Sequence, residues 1–366
     1  MNNHRIGVLH LIDTLHSGGA ETVAVNLANA TPRDLFTIHL CATHEGGPLE
    51  KRLAPDINYY CLHRKYTFDI IAIAHLIQYI KKHDIRIIHA HSSSLFVAYV
   101  IRLFFSEIRV LWHDHFGAFA IETRPAWIYK KLAKGAHGEV AVTRTLVNWS
   151  VSVLKQKPNR VWYIPNFVPN LEGELEPIKN LPGKEGKRII CVANFRPQKD
   201  HDTLLQAMKQ VVSTDAEAHL ILVGAETEFL SQAEFYEKVK EYHLQNYVSW
   251  LGKREDVPSI LVSCDIGVLS SISEGFPLVL LEYGMANLAV VATRVGECEE
   301  ILEGGRAGLL VPPSDPFSLA KAILHLINHN EERKQLGLCL SQRVNNSYSE
   351  KVVVEKLVSV YHKIIS

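Results

Sequence analysis

The chain has 366 residues, with 39 Lys+Arg against 39 Asp+Glu, 47% hydrophobic and 21% charged residues. That composition belongs to a folded globular protein and excludes a disordered tail or a collagen-like chain. The length fits two domains, each able to bury its own core.

The charge is unevenly spread. Residues 1–170 hold 19 basic and 12 acidic side chains, net +7, and residues 171–366 hold 20 and 27, net −7. A basic half favours a partner of negative charge. Cys41, Cys61, Cys191, Cys264, Cys298 and Cys339 form no C-x-x-C pair. Neither a disulfide framework nor a zinc ribbon is indicated, and a reducing, cytoplasmic compartment is expected. Met1–Arg5 leads straight into a short apolar run, unlike a signal peptide. No stretch reaches the ~18 uncharged apolar residues of a membrane span.

In chain order, apolar runs predict strands over Arg5–Ile12, Phe36–Cys41, Ile85–Ala90, Arg109–His113, Gly138–Val142 and Val161–Ile164. Amphipathic helices are predicted over Gly19–Ala30, Phe68–Lys82, Ser93–Phe105, Pro125–Lys134 and Arg144–Lys155. Residues 165–187, with four prolines and three glycines, read as a linker. The alternation then restarts. Strands are predicted over Arg188–Ala193, His219–Val223, Val248–Leu251, Ile266–Leu269, Ala289–Ala292 and Gly308–Val311. Helices are predicted over Asp202–Ser213, Phe229–His243, Val257–Ser263, Pro277–Ala286, Glu297–Glu303, Ser314–Asn328, Glu331–Val344 and Glu350–Ile364. Continuous Val/Ile/Leu runs mark strands buried on both faces, and strand–helix alternation means parallel sheets. The expected architecture is two doubly wound α/β domains facing across a cleft. Ligands then sit beyond the carboxyl ends of the strands.

Four motifs fall at such ends. Gly18-Gly19, with Glu21, follows the first strand, where glycines let a ligand approach the backbone at a helix start. Trp112-His113-Asp114-His115-Phe116-Gly117 closes the fourth strand and offers two imidazoles, with His89 and His91 on a neighbouring strand. Thirteen of the 19 histidines lie in the first half, so clustering there needs no ligand role, and no metal site is assigned. Asn194-Phe195-Arg196-Pro197-Gln198-Lys199 precedes a helix capped by Asp200 or Asp202, and its two cations suit a phosphate pair. Ser273-Glu274-Gly275-Phe276-Pro277-Leu278 leads to Glu282. Pro277 fits the first helical position, leaving free N–H groups for an anion. Glu282, among apolar residues, needs a hydrogen-bonding partner such as vicinal hydroxyls, or a buried structural ion pair.

With these motifs placed, the whole chain resembles the retaining glycosyltransferases of family 4, which have the GT-B fold. The most specific mark is E-G-F-P-x-x-x-x-E, Glu274 to Glu282. Supporting marks are Gly18-Gly19 with Glu21, Ile164-Pro165-Asn166, the Lys199 loop, Val290–Gly296 and Gly308–Pro313. The resemblance implies an acceptor-side Rossmann-like domain over 1–167, onto which a helix at 350–366 packs back, and a nucleotide-sugar domain over 168–349.

It also implies a nucleotide diphosphosugar donor (a UDP- or GDP-sugar) and no required metal. Glu282 would accept from the ribose hydroxyls and Glu274 would contact the donor sugar. The backbone of Gly275, Phe276, Pro277 and Leu278 would hold sugar or phosphate, Lys199 would neutralise the diphosphate, and Gly19 would approach it. The family's arginine falls on Asn194 here, and Arg196 is taken to replace it. The family's active-site histidine would fall on His115, with His113 as the second candidate. The implied activity is hexosyl transfer with retention to a glycan or lipid-linked glycan, in surface-polysaccharide assembly such as capsule or lipopolysaccharide. A nucleotide-sugar 2-epimerase and a non-catalytic nucleotide-sugar-binding subunit are the competing readings. Lys81, Lys82, Arg102, Arg109, Lys130, Lys131 and Lys134, with Phe104, Phe105, Trp127 and Tyr129, form a candidate surface for an anionic membrane at the inner face of the cell membrane. No nucleic-acid partner is expected.

Overall fold

The computed structural model describes residues 5–16, 18–116, 124–169 and 176–366; Gly117 of the histidine motif and Gly173 of the linker lie outside them. The chain divides into two compact units, Met1–Pro169 with Glu350–Ser366, and Asn170–Ser349.

The first unit runs β1 (Ile6–Thr14), α1 (Gly19–Ala30), β2 (Phe36–Glu45), β3 (Asn58–Cys61), α2 (Ile70–Lys82), β4 (Ile85–His91), α3 (Leu95–Phe104), β5 (Arg109–Asp114), α4 (Ala126–Lys134), β6 (Gly138–Ala141), α5 (Arg144–Ser152) and β7 (Val161–Tyr163). Its parallel sheet has the order β3-β2-β1-β4-β5-β6-β7. Leu9, Leu11, Ile88, Ala90, Val110 and Trp112 face α2 to α4 in one core. The next residues along each strand face the opposite side, since side chains alternate across a sheet.

The second unit runs β8 (Arg188–Val192), α6 (His201–Thr214), β9 (His219–Val223), α7 (Gln232–Glu241), β10 (Val248–Trp250), α8 (Val257–Leu261), β11 (Ile266–Leu269), α9 (Leu278–Met285), β12 (Ala289–Thr293), α10 (Cys298–Ile301), β13 (Leu309–Val311), α11 (Pro316–Asn328) and α12 (Asn330–Ser347). Its sheet order is β10-β9-β8-β11-β12-β13. In both units the order reverses beside the first strand, the doubly wound pattern that opens a crevice at the carboxyl ends. The last helix, α13 (Glu350–Ile365), belongs to the first unit, where it packs beside α1 and β5.

Some elements depart from expectation for local reasons. No strand was expected at β3, whose Asn-Tyr-Tyr-Cys is short, half-buried and at the sheet edge. Helix α2 starts after Asp69, whose Oδ1 accepts from the Ala72 N–H at 3.1 Å. Helix α7 starts after Ser231, in a capping box with Glu234. Pro277 is not the first helical position: its ψ of 95° is extended, and α9 begins at Leu278. The preceding loop is pinned where the Glu297 N–H donates to the Gly275 carbonyl at 3.1 Å.

Candidate functional site

In the second unit, β8 and β11 are neighbours at the point of reversal, and the loops leaving them carry Lys199 and Glu274. After β8 the chain makes one 3-10 turn, Pro197–Lys199, then a left-handed residue, Asp200 (φ 47°). Asp200 is the cap of α6: its carboxylate accepts from the Thr203 N–H at 3.1 Å and the Thr203 hydroxyl at 2.7 Å. Asp202 instead pairs with Lys238 at 2.9 Å. The two loops are stitched together. Ser270 Oγ donates to the Lys199 carbonyl at 2.9 Å, and the Ile272 N–H donates to the Gln198 carbonyl at 2.9 Å.

This stitching places Lys199 Nζ 2.6 Å from Glu274 Oε1, which also accepts from Ser271 Oγ at 2.6 Å. The Lys199 side chain is 22% exposed and that of Glu274 11%. An ammonium has three donors, and this pair uses one. A third loop closes on the same place. Gly296 has φ 51°, and a Cβ there would lie 2.5 Å from the Glu274 carbonyl oxygen and 2.6 Å from that of Gly275. Only glycine permits that approach.

Helix α9 is anchored by Tyr283, whose hydroxyl accepts from the Val192 N–H at 3.0 Å and donates to the Val268 carbonyl at 3.2 Å. Glu282, on the same helix, is half-buried. Phe276 meets Tyr348 edge-on at 5.8 Å. Pro277 is buried, whereas Gly275 and Leu278 are half-buried. Asn194 and Arg196 are exposed on the Lys199 loop. Asn194 Oδ1 accepts from the Ala225 N–H at 2.9 Å, tying the β8 and β9 exits together. Thus Lys199 and Glu274 are in contact, while Arg196 stands at the surface of the same loop.

In the first unit, Gly18 caps α1 in an extended conformation, with the Glu21 carboxylate folded against it. The space a Cβ of Gly19 would fill is open: among the described residues, nothing beyond its chain neighbours and its own helix backbone lies within 4 Å. Nearby, Asp13 at the end of β1 accepts from Thr43 Oγ1 at 2.7 Å and Ser93 Oγ at 2.5 Å, with Arg64 at 3.9 Å. Sequence reading missed this polar set because its members come from four separate segments.

His113 is the penultimate residue of β5, at its carboxyl end as expected but only 2% exposed, and His115 follows the strand. Register explains what surrounds them: His10 on β1 pairs with His89 on β4, and His91 with His113 on β5. Five imidazoles therefore share one sheet face. His10 Nδ1 is 3.0 Å from His91 Nε2, His91 Nδ1 2.9 Å from His115 Nε2, and His89 Nε2 3.0 Å from His113 Nδ1. Tyr361 of α13 brings its hydroxyl 2.7 Å from His89 Nδ1 and 3.5 Å from His10 Nε2. Burial drives His10 and His115 down to about 3, and His89, His91 and His113 well below the usual imidazole range. The rings are neutral at ordinary pH. His10, His89 and His91, and again His91, His113 and His115, bring imidazole nitrogens within 4.8 Å of one another. The paired spacings H-x-H at 89–91 and 113–115 carried the signal for a common face; His10 and Tyr361 gave none.

The opposite face is structural. Asp114 is held by Arg124 at 2.6 and 3.1 Å, and that guanidinium lies 3.8 Å from the Trp149 ring centroid and 4.7 Å from those of Phe116 and Tyr129. Tyr129 stacks on Trp112, and Phe105 lies under Lys81, so neither is the exposed aromatic expected. Phe104 and Trp127 are exposed, and so are Tyr66, Phe68, Ile70 and Ile71. Among the described residues no helix is long and apolar enough to cross a membrane.

Comparison with known proteins identifies the class. Residues 17–170 match the family model described as Glycosyltransferase Family 4, and residues 186–329 that described as Glycosyl transferases group 1. The chain belongs to glycosyltransferase family 4 and has the GT-B fold. It is 30% identical over 230 residues to the N-acetyl-alpha-D-glucosaminyl L-malate synthase of Bacillus anthracis, covering 61% of this chain and 58% of that one. It is 23% identical over 366 residues to the UDP-Gal:alpha-D-GlcNAc-diphosphoundecaprenol alpha-1,3-galactosyltransferase of Escherichia coli, covering 94% and 93%. The Anabaena protein HepE, solved in complex with UDP, superposes with a TM-score of 0.81 over 98% of this chain and all of its own, at 17% identity.

Proposed function

We propose that the chain is a retaining, metal-independent glycosyltransferase that moves a sugar from a nucleotide diphosphosugar to a hydroxyl of a glycan or lipid-linked glycan in surface-polysaccharide assembly. The observation that carries this reading is the contact of Lys199 with Glu274 at the strand reversal of the second unit. A cation and a carboxylate there match the two chemistries of the donor, a diphosphate and a polyol. Lys199 and Arg196 neutralise charge developing on the β-phosphate, which is electrostatic stabilisation of a leaving group. Glu274 accepts from sugar hydroxyls, Glu282 from the ribose, and the Gly275–Leu278 backbone borders the sugar and phosphate.

In the first unit the open space at Gly19 admits the diphosphate, and His115, with His113 behind it, faces the transferred sugar. The names of the Escherichia coli relative and of HepE's complex support a UDP-sugar donor, and the former supports a diphospholipid-linked acceptor. The exposed Phe104 and Trp127, with Lys131 and Lys134, suit an anionic membrane surface at the cytoplasmic face.

The test is a panel of UDP- and GDP-sugars assayed for a melting shift, then for transfer to a diphosphopolyprenyl-linked sugar. A cognate donor at about 100 times its Kd adds about 2.7 kcal/mol of stability. Transfer with the anomeric configuration preserved, and in the presence of a chelator, supports the reading. Epimerised donor, or binding without any transfer, refutes it.

A further inference from the structure

The histidines of the first unit form more than a cluster. Traced through four contacts of 2.7–3.0 Å and one of 3.5 Å, between His10 and Tyr361, they make one unbranched path: His115, His91, His10, Tyr361, His89, His113. Every ring in the interior of the path has both nitrogens engaged. Of the path's own nitrogens, only the two end atoms, His115 Nδ1 and His113 Nε2, are buried without a hydrogen-bond partner among the described residues. The end rings are stacked, with centroids 4.0 Å apart.

A neutral imidazole has one N–H and one bare nitrogen. Each contact needs one proton between its two heavy atoms, so the choice made by one ring dictates that of the next. Two arrangements satisfy all the contacts and also use the proton of the buried Tyr361 hydroxyl; a third, in which His10 and His89 both donate to Tyr361, strands that O–H without an acceptor. In one, His115 Nε2–H donates to His91, His91 to His10, His10 to Tyr361, Tyr361 to His89 and His89 to His113. This leaves His113 Nε2 protonated and His115 Nδ1 bare. In the other, every donor and acceptor is exchanged, leaving His115 Nδ1 protonated and His113 Nε2 bare. The proton count and charge are the same in both.

We propose that His10, His89, His91 and Tyr361 are positioning residues that couple the tautomers of His113 and His115, so that one end of the path presents a donor while the other presents an acceptor. A substrate oxygen that accepts from one end then fixes the whole path. The C-terminal helix takes part directly, since Tyr361 joins the two halves. Burial keeps the rings neutral, as the path requires, and Arg33 is the charged group that adds to this at His10. The functional part of this inference rests on the reading of His115 and His113 as facing the sugar.

The test is nitrogen-15 NMR of histidine-labelled protein without ligand. Through-hydrogen-bond couplings are expected for the His10–His91, His91–His115 and His89–His113 pairs, with opposite protonation at His113 Nε2 and His115 Nδ1. Tyr361→Phe should abolish the opposition and leave the two halves independent. Both ends protonated, both bare, or a tightly bound metal shifting these signals would overturn the proposal. Should Tyr361→Phe not fold, the wild-type spectrum decides alone. Where donor turnover is measured, Tyr361→Phe should lower kcat severalfold with the Kd for UDP unchanged; an unchanged kcat overturns the functional link. These NMR results do not depend on glycosyl transfer, so failure of that reading would be seen separately as absent turnover in wild type.

Discussion

Lowering the pH from about 7.5 to about 5 should unfold the first unit before the second. His10, His89, His91, His113 and His115 are buried and neutral, with pKa values driven far below the ordinary imidazole value. A depressed pKa contributes stability that is present above the unfolded value, near 6.5, and lost as pH falls toward the folded one. Each ring that stays neutral while its unfolded counterpart charges costs about 2 kcal/mol by about pH 5, so five cost about 10 kcal/mol.

Glu139 acts the other way. Burial raises it from 4.5 to about 8, so its stabilisation grows as pH falls, by about 3 kcal/mol over the same interval. The net loss of about 7 kcal/mol rivals the 5–15 kcal/mol that holds a typical domain together. In the first unit His39 and His137, lowered by burial to about 4, add to the loss; among the described residues of the second unit, the only histidines lowered by burial are His201 and His219. Trp112, Trp127, Trp149 and Trp162 lie in the first unit and Trp250 in the second. Tryptophan fluorescence of a Trp250→Phe variant in urea therefore reports the first unit alone. Its stability should fall with an uptake of about five protons near pH 5.5, from seven histidines less Glu139. Stability that stays flat down to pH 5 would refute the reasoning.

Three further changes test local parts of the account. Glu139→Gln should match wild type in acid and exceed it in alkali, the gap widening by about 1.4 kcal/mol per pH unit between about 4.5 and about 8, read from urea midpoints. Gly296→Ala should cost about 1–3 kcal/mol from its left-handed backbone and its crowding of the Glu274 loop, and should weaken UDP binding in calorimetry. Asp200→Ala removes a helix cap and should cost about 1–2 kcal/mol, measured by thermal unfolding.

The alternation of apolar runs and amphipathic segments made both sheets legible, because strands buried on two faces have no other economical reading. β3 escaped because an edge strand needs no continuous apolar run, and the pinned loop before α9 escaped because a proline signals a helix start without fixing its position. The loop bearing Lys199 and the one bearing Glu274 were each recognisable by sequence. Their contact was not, since it depends on Ser270 and Ile272 binding the first loop's backbone. Four of the six members of the histidine path were visible in two H-x-H spacings. The other two, His10 and Tyr361, come from segments separated by 351 positions and joined only by folding.

The most direct measurement is calorimetric titration of UDP into wild type and into Lys199→Ala and Glu282→Ala. Lys199→Ala removes a charge-assisted bond to phosphate, and Glu282→Ala removes the ribose acceptor; each should weaken binding by about 1.5–3 kcal/mol, roughly 10- to 150-fold. Equal affinity in all three proteins, or no heat with any nucleoside diphosphate, would contradict a donor site built on these residues.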